Sequence, residues 1–177
     1  MIYMVECALG PEQTDDAWNR WYADMKPPER LLSVPGFRSA QRFRGTGPRR
    51  QHYLALYDVE SPETMSSPAY RGIGGGNFLT DVWKPLIQMW ERNLFGRDTA
   101  APRVPQDAAL VLVDAATTDL ALPGCTIEWM RCVGLDRTTQ FRGLAVVTRA
   151  AAEAIVTNTS AIGVFLPRTK CMVAPTP

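Results

Sequence analysis

Residues 37–59 constrain the possible folds of this chain more than any other stretch. Two strand-like segments, 37–44 and 52–59, flank the residues Gly45-Thr46-Gly47-Pro48. Glycine reaches positive φ at little cost and proline presets its own φ, so the connection is typical of a turn. The sequence therefore predicts a β-hairpin, and the elements on either side of it are expected to pack against it.

A strand and a helix precede the hairpin. Residues 2–9 alternate in the way typical of a strand, with Gly10-Pro11 at its end. Thr14 is a suitable N-cap for a helix that continues to about Met25. The Pro27-Pro28 pair is expected to end that helix, because the residue before a proline is pushed out of the α region.

A second helix and a fourth strand follow the hairpin. Ser61-Pro62 is typical of a helix start and predicts a helix over residues 63–70, which the glycine-rich residues 72–76 end. Residues 86–95 alternate as a strand does. The order β-α-β-β-α-β in residues 1–97 predicts a ferredoxin-like unit. Helices would cover one face of its sheet, and a second sheet is the usual cover for the other.

Residues 98–107 are predicted to be a linker, and residues 108–177 a second, degenerate ferredoxin-like unit with the order β-β-β-α-β. Strands are expected at 109–113, 126–135, 140–148, 162–166 and 170–173, with a helix at 150–156. A likeness between residues 54–57 and 144–147 hints at a duplication. The predicted fold class is α+β, a barrel closed either within one chain or between two chains.

Composition excludes several classes of function. A net charge of +1 over 177 residues argues against nucleic acid as the main partner. The four cysteines form no metal-binding spacing, so no metal site is predicted. The first residues lack the basic start of a signal peptide, and no apolar stretch is long enough for a membrane helix. These features predict a cytoplasmic protein that neither enters a membrane nor needs a disulfide.

The strongest local charge is a run of arginines in and beside the hairpin. One interpretation is a solvated hairpin edge, and the alternative is a patch that binds carboxylate or phosphate. The run consists of Arg38, Arg42, Arg44, Arg49 and Arg50.

The first half resembles the dimeric α+β barrel superfamily, nearest to its EthD-like and uncharacterised bacterial members. The most specific part is Val34-Pro35-Gly36-Phe37 at the start of the second strand. The other matching stretches are residues 18–22, 31–33, 40–43, 53–59 and 90–95. The resemblance implies a barrel that often holds a small, flat, apolar molecule. Its members include cofactor-free monooxygenases, lactone isomerases, polyketide cyclases and haem enzymes, so it implies fold better than chemistry.

The chain departs from this family at its favoured catalytic position. Relatives often carry Trp-Tyr-x-x-His-x-Pro at the end of the first helix, where this chain has Trp21-Tyr22-Ala23-Asp24-Met25-Lys26-Pro27. Met25 replaces the histidine, and a thioether cannot transfer protons at neutral pH. The mechanism implied by the resemblance therefore does not carry over at this position.

Four other residues are candidates for catalysis. His52 is the single histidine, and a haem would need it as its axial ligand. Arg42 and Tyr57 could orient an enolate or phenolate if their strand faces line the barrel, although cross-strand packing is the alternative. Asp24 could act as a base if it were buried. The predicted ligand-binding residues are Trp21, Tyr22, Met25, Tyr53, Trp83 and Trp90.

Three functional hypotheses remain open. The first is a cofactor-independent enzyme acting on a small aromatic or polyketide-like molecule. The second is a non-catalytic protein that binds such a molecule, and the third is a structural subunit whose barrel is filled with side chains. The expected assembly is a homodimer, or a monomer with an internal pseudo-dimer.

Overall fold

A closed barrel of antiparallel strands forms the centre of the protein. The computed structural model describes residues 1–49, 52–155 and 161–175. The strands run around the barrel in the order β3-β1-β4-β6-β7-β5-β8-β2, and pairing of β2 with β3 closes the ring. The short β9 pairs with Ser39 and Ala40 of β2, next to the part of β2 that pairs with β8. The strands are β1 (Ile2–Leu9), β2 (Phe37–Gly45), β3 (His52–Val59), β4 (Ile87–Gly96), β5 (Ala108–Ala115), β6 (Glu128–Leu135), β7 (Phe141–Thr148), β8 (Ile162–Pro167) and β9 (Met172–Val173).

The helices are short and lie outside the barrel. Thr14 caps α1 as predicted, since its hydroxyl accepts a hydrogen bond from the Ala17 amide at 3.2 Å. The predicted helix over residues 63–70 is wrong in detail: a 3-10 turn, Pro62–Ser66, precedes a separate helix that starts at Pro68. Residue 156, placed in the predicted last helix, lies outside the described residues. The α-helices are α1 (Asp15–Met25), α2 (Pro27–Leu32), α3 (Pro68–Gly72) and α4 (Arg149–Glu153).

The predicted hairpin is confirmed, and the two halves of the chain share one strand order. In the first half the strands lie in the order β4-β1-β3-β2, and in the second half in the order β8-β5-β7-β6. Ala40 pairs with Tyr57 and Phe43 with Leu54 across the hairpin. One chain therefore supplies all eight strands of the barrel.

The barrel interior is filled by side chains from both halves. Its apolar part includes Phe43, Leu54, Phe95, Leu112 and Phe165, all of them buried. Burial of this apolar surface is the main source of stability for such a core.

The segment between the two halves also packs into this interior. Val104 is buried, and both its backbone groups are bound by the buried Gln41 side chain, at 2.7 and 3.0 Å. The connection therefore covers part of the barrel.

Among the described residues, no helix is both long enough and apolar enough to cross a lipid bilayer.

Candidate functional site in the layer between sheet and helices

An aromatic layer fills the space between the outer face of the first half's sheet and α1. It consists of Trp18, Trp21 and Tyr22 from α1, Tyr53 and Tyr57 from β3, and Trp83 and Trp90. Trp18 lies at its centre, with ring centroids of Trp21 at 4.7 Å, Trp83 at 5.1 Å and Tyr53 at 5.7 Å. The spacing of residues 18, 21 and 22 places all three on one helix face, so the sequence determines what α1 contributes to this layer.

The strand face that carries Arg42, Tyr53 and Tyr57 points outward, so the condition that these residues line the barrel is not met, and the alternative of packing on the sheet applies to the two tyrosines. Leu54 and Leu56, which alternate with the tyrosines, are the residues that enter the barrel core. Tyr53 packs with Trp18 and Tyr22, and Tyr57 packs with the α2 residues Leu31 and Leu32. Successive side chains of a strand point to opposite faces, so the face that carries Tyr53 and Tyr57 is the one that packs against the helices.

Two small cavities lie in the aromatic layer. The first, about 20 Å³, is lined by Cys7, Trp18, Arg42 and Tyr53, among others. The second, about 10 Å³, is lined by Trp21, Leu31, Tyr57 and Gly76, among others. Val5, Tyr22 and Trp90 belong to the lining of both cavities and form the wall between them. Each volume is about that of one water molecule.

Of the described residues that line the first cavity, Arg42 is the one that carries a charge. Its guanidinium carbon lies 3.4 Å from the centre of the Tyr22 ring, and its Nη2 donates to Asn19 Oδ1 at 3.2 Å. Burial lowers the pKa of Arg42, while the neighbouring Tyr22 and Tyr57 oppose that shift. A guanidinium held rigidly in an aromatic pocket can stabilise negative charge on a bound oxygen.

Several hydrogen-bond donors around the cavities lack acceptors. The Tyr53 hydroxyl and the indole N–H groups of Trp18 and Trp21 are buried and have no hydrogen-bond partner within the described chain. A buried donor without a partner costs roughly 1–3 kcal/mol. Two of these donors, Tyr53 and Trp18, line the same cavity as the Arg42 cation, which favours a ligand that carries hydrogen-bond acceptors.

The tyrosine hydroxyls are held in the neutral form. Burial raises the pKa of Tyr57 well above its usual range, and the adjacent Tyr22 adds to the effect. Burial also raises the pKa of Tyr22, which Arg42 partly offsets. At neutral pH both side chains are therefore donors rather than proton acceptors.

His52 lies on the opposite face of β3 from the aromatic layer. Its Nδ1 is 3.0 Å from Glu6 Oε1, and the Arg49 Nη1 lies at the same distance from that oxygen. Arg142, buried in the barrel, lies 3.7 Å from the second Glu6 oxygen and pairs with Asp114 at 2.6 Å. His52 thus belongs to a buried charge cluster inside the barrel, and it cannot serve a ligand held in the aromatic layer.

Three other predicted site residues do not line the two cavities. Asp24 is exposed on α1, so the burial on which its predicted role as a base depends is absent. Met25 is partly buried but lines neither of the two cavities, and Trp83 contributes packing against Trp18. Sequence reasoning omitted Trp18 from the site, although its spacing from Trp21 already placed both on one helix face.

The arginine run does not form one surface. Arg38 pairs with Glu60 in solvent, Arg42 enters the aromatic layer, Arg44 pairs with Asp15, and Arg49 reaches Glu6 inside the barrel. Arg50 lies outside the described residues. The interpretation as a solvated edge is therefore wrong for Arg42 and Arg49. No group of histidine, cysteine and acidic side chains in the described ranges has the arrangement of a metal site.

Comparisons with known proteins connect this architecture to solved structures. No protein-family model and no curated protein sequence matches the chain. An anthrone oxidase-like protein is similar in structure, with a TM-score of 0.62 at 9% identity over 99% of this chain and 94% of that protein. A proposed chlorite dismutase has a TM-score of 0.53 at 13% identity over 95% of each chain. These similarities, together with the closed eight-stranded sheet, show that the protein has an α+β barrel fold.

Proposed function

We propose that the aromatic layer binds a small planar molecule with an acidic hydroxyl, of the phenol or enol type, and that Arg42 stabilises its oxyanion. The observation that carries this proposal is the Arg42 guanidinium in the wall of an aromatic cavity, beside the unpartnered donors of Tyr53 and Trp18. Loss of the hydroxyl proton to solvent leaves negative charge on the ligand oxygen, where Arg42 and these donors would act.

Such a molecule is also a suitable substrate for chemistry without a cofactor. An enolate or phenolate is electron-rich, as monooxygenase, isomerase and cyclase reactions of this type require. The similarity to an anthrone oxidase-like protein is a similarity of fold, and it is consistent with an oxidation reaction. We therefore propose a cofactor-independent enzyme of the oxidase or monooxygenase type.

Binding requires the layer to open. The two cavities hold about one water molecule each, and Trp90, which separates them, is only partly buried. Rotation of Trp90 and a shift of the Val5 and Tyr22 side chains beside it would join them into one slot that extends from Arg42 to Gly76. The same small volumes favour a second candidate function, a non-catalytic barrel protein whose layer stays filled.

Ligand binding with matched probes tests the first proposal. We expect 1-naphthol to quench the tryptophan fluorescence and to bind more tightly than its methyl ether as the pH approaches the naphthol pKa. Arg42→Met should reduce this preference about tenfold, which corresponds to roughly 1.4 kcal/mol. Arg38→Met, at an exposed position, is the control. Equal affinities for 1-naphthol and its methyl ether would refute the role of Arg42. If neither probe binds and no oxygen is consumed, the non-catalytic candidate is favoured.

We also propose that the monomer is the complete unit, with two ferredoxin-like halves in residues 1–97 and 108–177. The support is the shared strand order of the halves and the closure of the barrel within one chain. In the second half, where the described residues form no helix between β5 and β6, Leu122 and Trp129 help cover the outer sheet face instead. Native mass spectrometry tests this proposal, because an obligate dimer would contradict it.

A further inference from the structure

A groove with three arginines lies outside the barrel, where β2 pairs with β8. We call it the arginine groove: Arg44, Arg149 and Arg168 line it, and Gly45, Leu166 and Pro167 form its apolar floor. Its volume is about 400 Å³. This volume lies in the range of small-molecule sites, roughly 300–1,000 Å³.

The fold brings these arginines together from three separate segments. Arg44 is on β2, where it pairs across the sheet with Leu166 of β8. Arg168 follows β8 directly, and its backbone amide donates to the Arg42 carbonyl at 2.8 Å. Arg149 is the first residue of α4. The groove is therefore a product of the barrel closure that joins the two halves, and no stretch of sequence shows it.

Positive charge exceeds negative charge in the groove. Within the described chain, the one carboxylate that forms an ion pair with any of these three arginines is Asp15, which pairs with Arg44. The Arg168 side chain is exposed and has no hydrogen bond or ion pair with any residue that the structure describes. Two of the three positive charges thus lack a counter-charge from the described protein.

Arg149 is positioned before any ligand arrives. Its Nη2 donates to the Gln106 carbonyl at 2.7 Å, which restrains the guanidinium group. Its Nε is buried and has no acceptor in the described part of the chain. A guanidinium held in this way loses little entropy when it binds an anion, and its planar donors suit carboxylate and phosphate oxygens.

We propose that the arginine groove binds a small polyanion with at least two phosphate or carboxylate groups. Two uncompensated guanidinium groups account for the charge of the ligand, and the apolar floor accommodates its carbon skeleton or bridging atoms. This site is separate from the aromatic layer, and the proposal does not depend on the function of that layer.

Calorimetric titrations at fixed ionic strength test the proposal with two probes, tripolyphosphate and citrate. We expect at least one probe to bind with a dissociation constant below about 1 mM. Selective binding of tripolyphosphate identifies phosphate as the ligand group, and selective binding of citrate identifies carboxylate. Failure of both probes to bind at ten times that concentration would overturn the proposal.

Charge-removing variants localise the binding. Arg168→Gln should weaken it about tenfold, because the variant removes one charge-assisted contact to the anion. Arg149→Gln should have a similar effect. Arg168 is exposed, so its variant stays informative even if loss of the Gln106 contact unfolds the Arg149 variant. Arg131→Gln makes the same charge change at an exposed position on β6, and an equal loss there would show that binding is non-specific.

Discussion

The guanidinium of Arg42 stacks on the ring of Tyr22, with 3.4 Å between the guanidinium carbon and the ring centroid. This contact joins β2 to α1 and closes one side of the aromatic layer. A cation over an aromatic ring contributes about 0.5–2 kcal/mol, depending on burial. The same side chain donates to Asn19, so it ties the helix to the sheet at two points.

We therefore expect Arg42→Lys to lower the free energy of unfolding by about 1 kcal/mol, because lysine lacks the planar group that stacks and donates at once. Urea denaturation measures the change. Arg38→Lys is the matched control, since Arg38 forms an exposed pair with Glu60 and its replacement should change stability by less than about 0.5 kcal/mol. Equal effects of the two variants would contradict a structural role for the stacking.

The carboxylate of Glu6 is the centre of the charge cluster inside the barrel. It is 3% exposed and faces Arg49, His52 and the fully buried Arg142. Glu6→Gln would remove the carboxylate that faces Arg49 and Arg142, and removal of one partner from a buried ion pair typically costs about 3–5 kcal/mol. Thermal and urea denaturation should show this loss, whereas Glu60→Gln, at a solvent-exposed pair, should have little effect. A loss below about 1 kcal/mol would show that the cluster is not important for stability.

The stability contributed by Glu6 should depend on pH. Burial raises the pKa of this carboxyl, but the hydrogen bond to His52 and the charges of Arg142 and Arg49 outweigh burial and lower it below its ordinary value of 4.5. The folded state therefore binds the proton less readily than the unfolded state. The stabilisation is fully present above the unfolded pKa and is lost as the pH falls through the folded pKa. The gap in unfolding free energy between wild type and Glu6→Gln should narrow below about pH 4.5, and a constant gap would contradict this assignment.

The buried tyrosines should resist ionisation at high pH. Burial raises the pKa values of Tyr3, Tyr22, Tyr57 and Tyr70. In a spectrophotometric titration, these four of the five tyrosines should ionise at a higher pH than free tyrosine does, and together when the protein unfolds. Since their folded pKa values are raised, stability is fully present below the unfolded tyrosine pKa and falls as the pH rises above it. Ionisation of these four tyrosines at the pH of free tyrosine without unfolding would show that the layer is open to water.

Gly36 in the Val34-Pro35-Gly36-Phe37 motif is required by local geometry. Its φ is +96°, and a Cβ at this position would overlap the Thr64 side chain, with Cγ2 at 3.0 Å. Gly36→Ala should destabilise the protein by about 1–3 kcal/mol, because both the backbone conformation and the space disfavour a side chain. Gly72→Ala is the control, since a Cβ there would meet no atom within 4 Å and the φ of Gly72 is not positive. Comparable midpoints of thermal unfolding for the two variants would contradict this account.

The sequence by itself determined most of the secondary structure. Its alternating segments and one continuous apolar run, residues 109–113, predicted the strands of the barrel, and the spacing of Trp18, Trp21 and Tyr22 predicted one apolar helix face. Thr14 and the Pro-Pro pair predicted where α1 begins and ends. These signals are local, because hydrogen bonding and side-chain periodicity within one element depend on neighbouring residues.

Only the tertiary structure decided which face of each strand entered the barrel. Alternation in β3 separates Leu54 from Tyr53 but does not say which of them packs against a helix, since both faces are apolar. His52 and Arg42, two separate candidates for catalysis, lie on opposite sides of the sheet. The arginine groove depends on contacts between β2 and β8, whose partners are more than 100 residues apart. Long-range pairing and helix placement fixed these sites, and neither leaves a pattern in the local sequence.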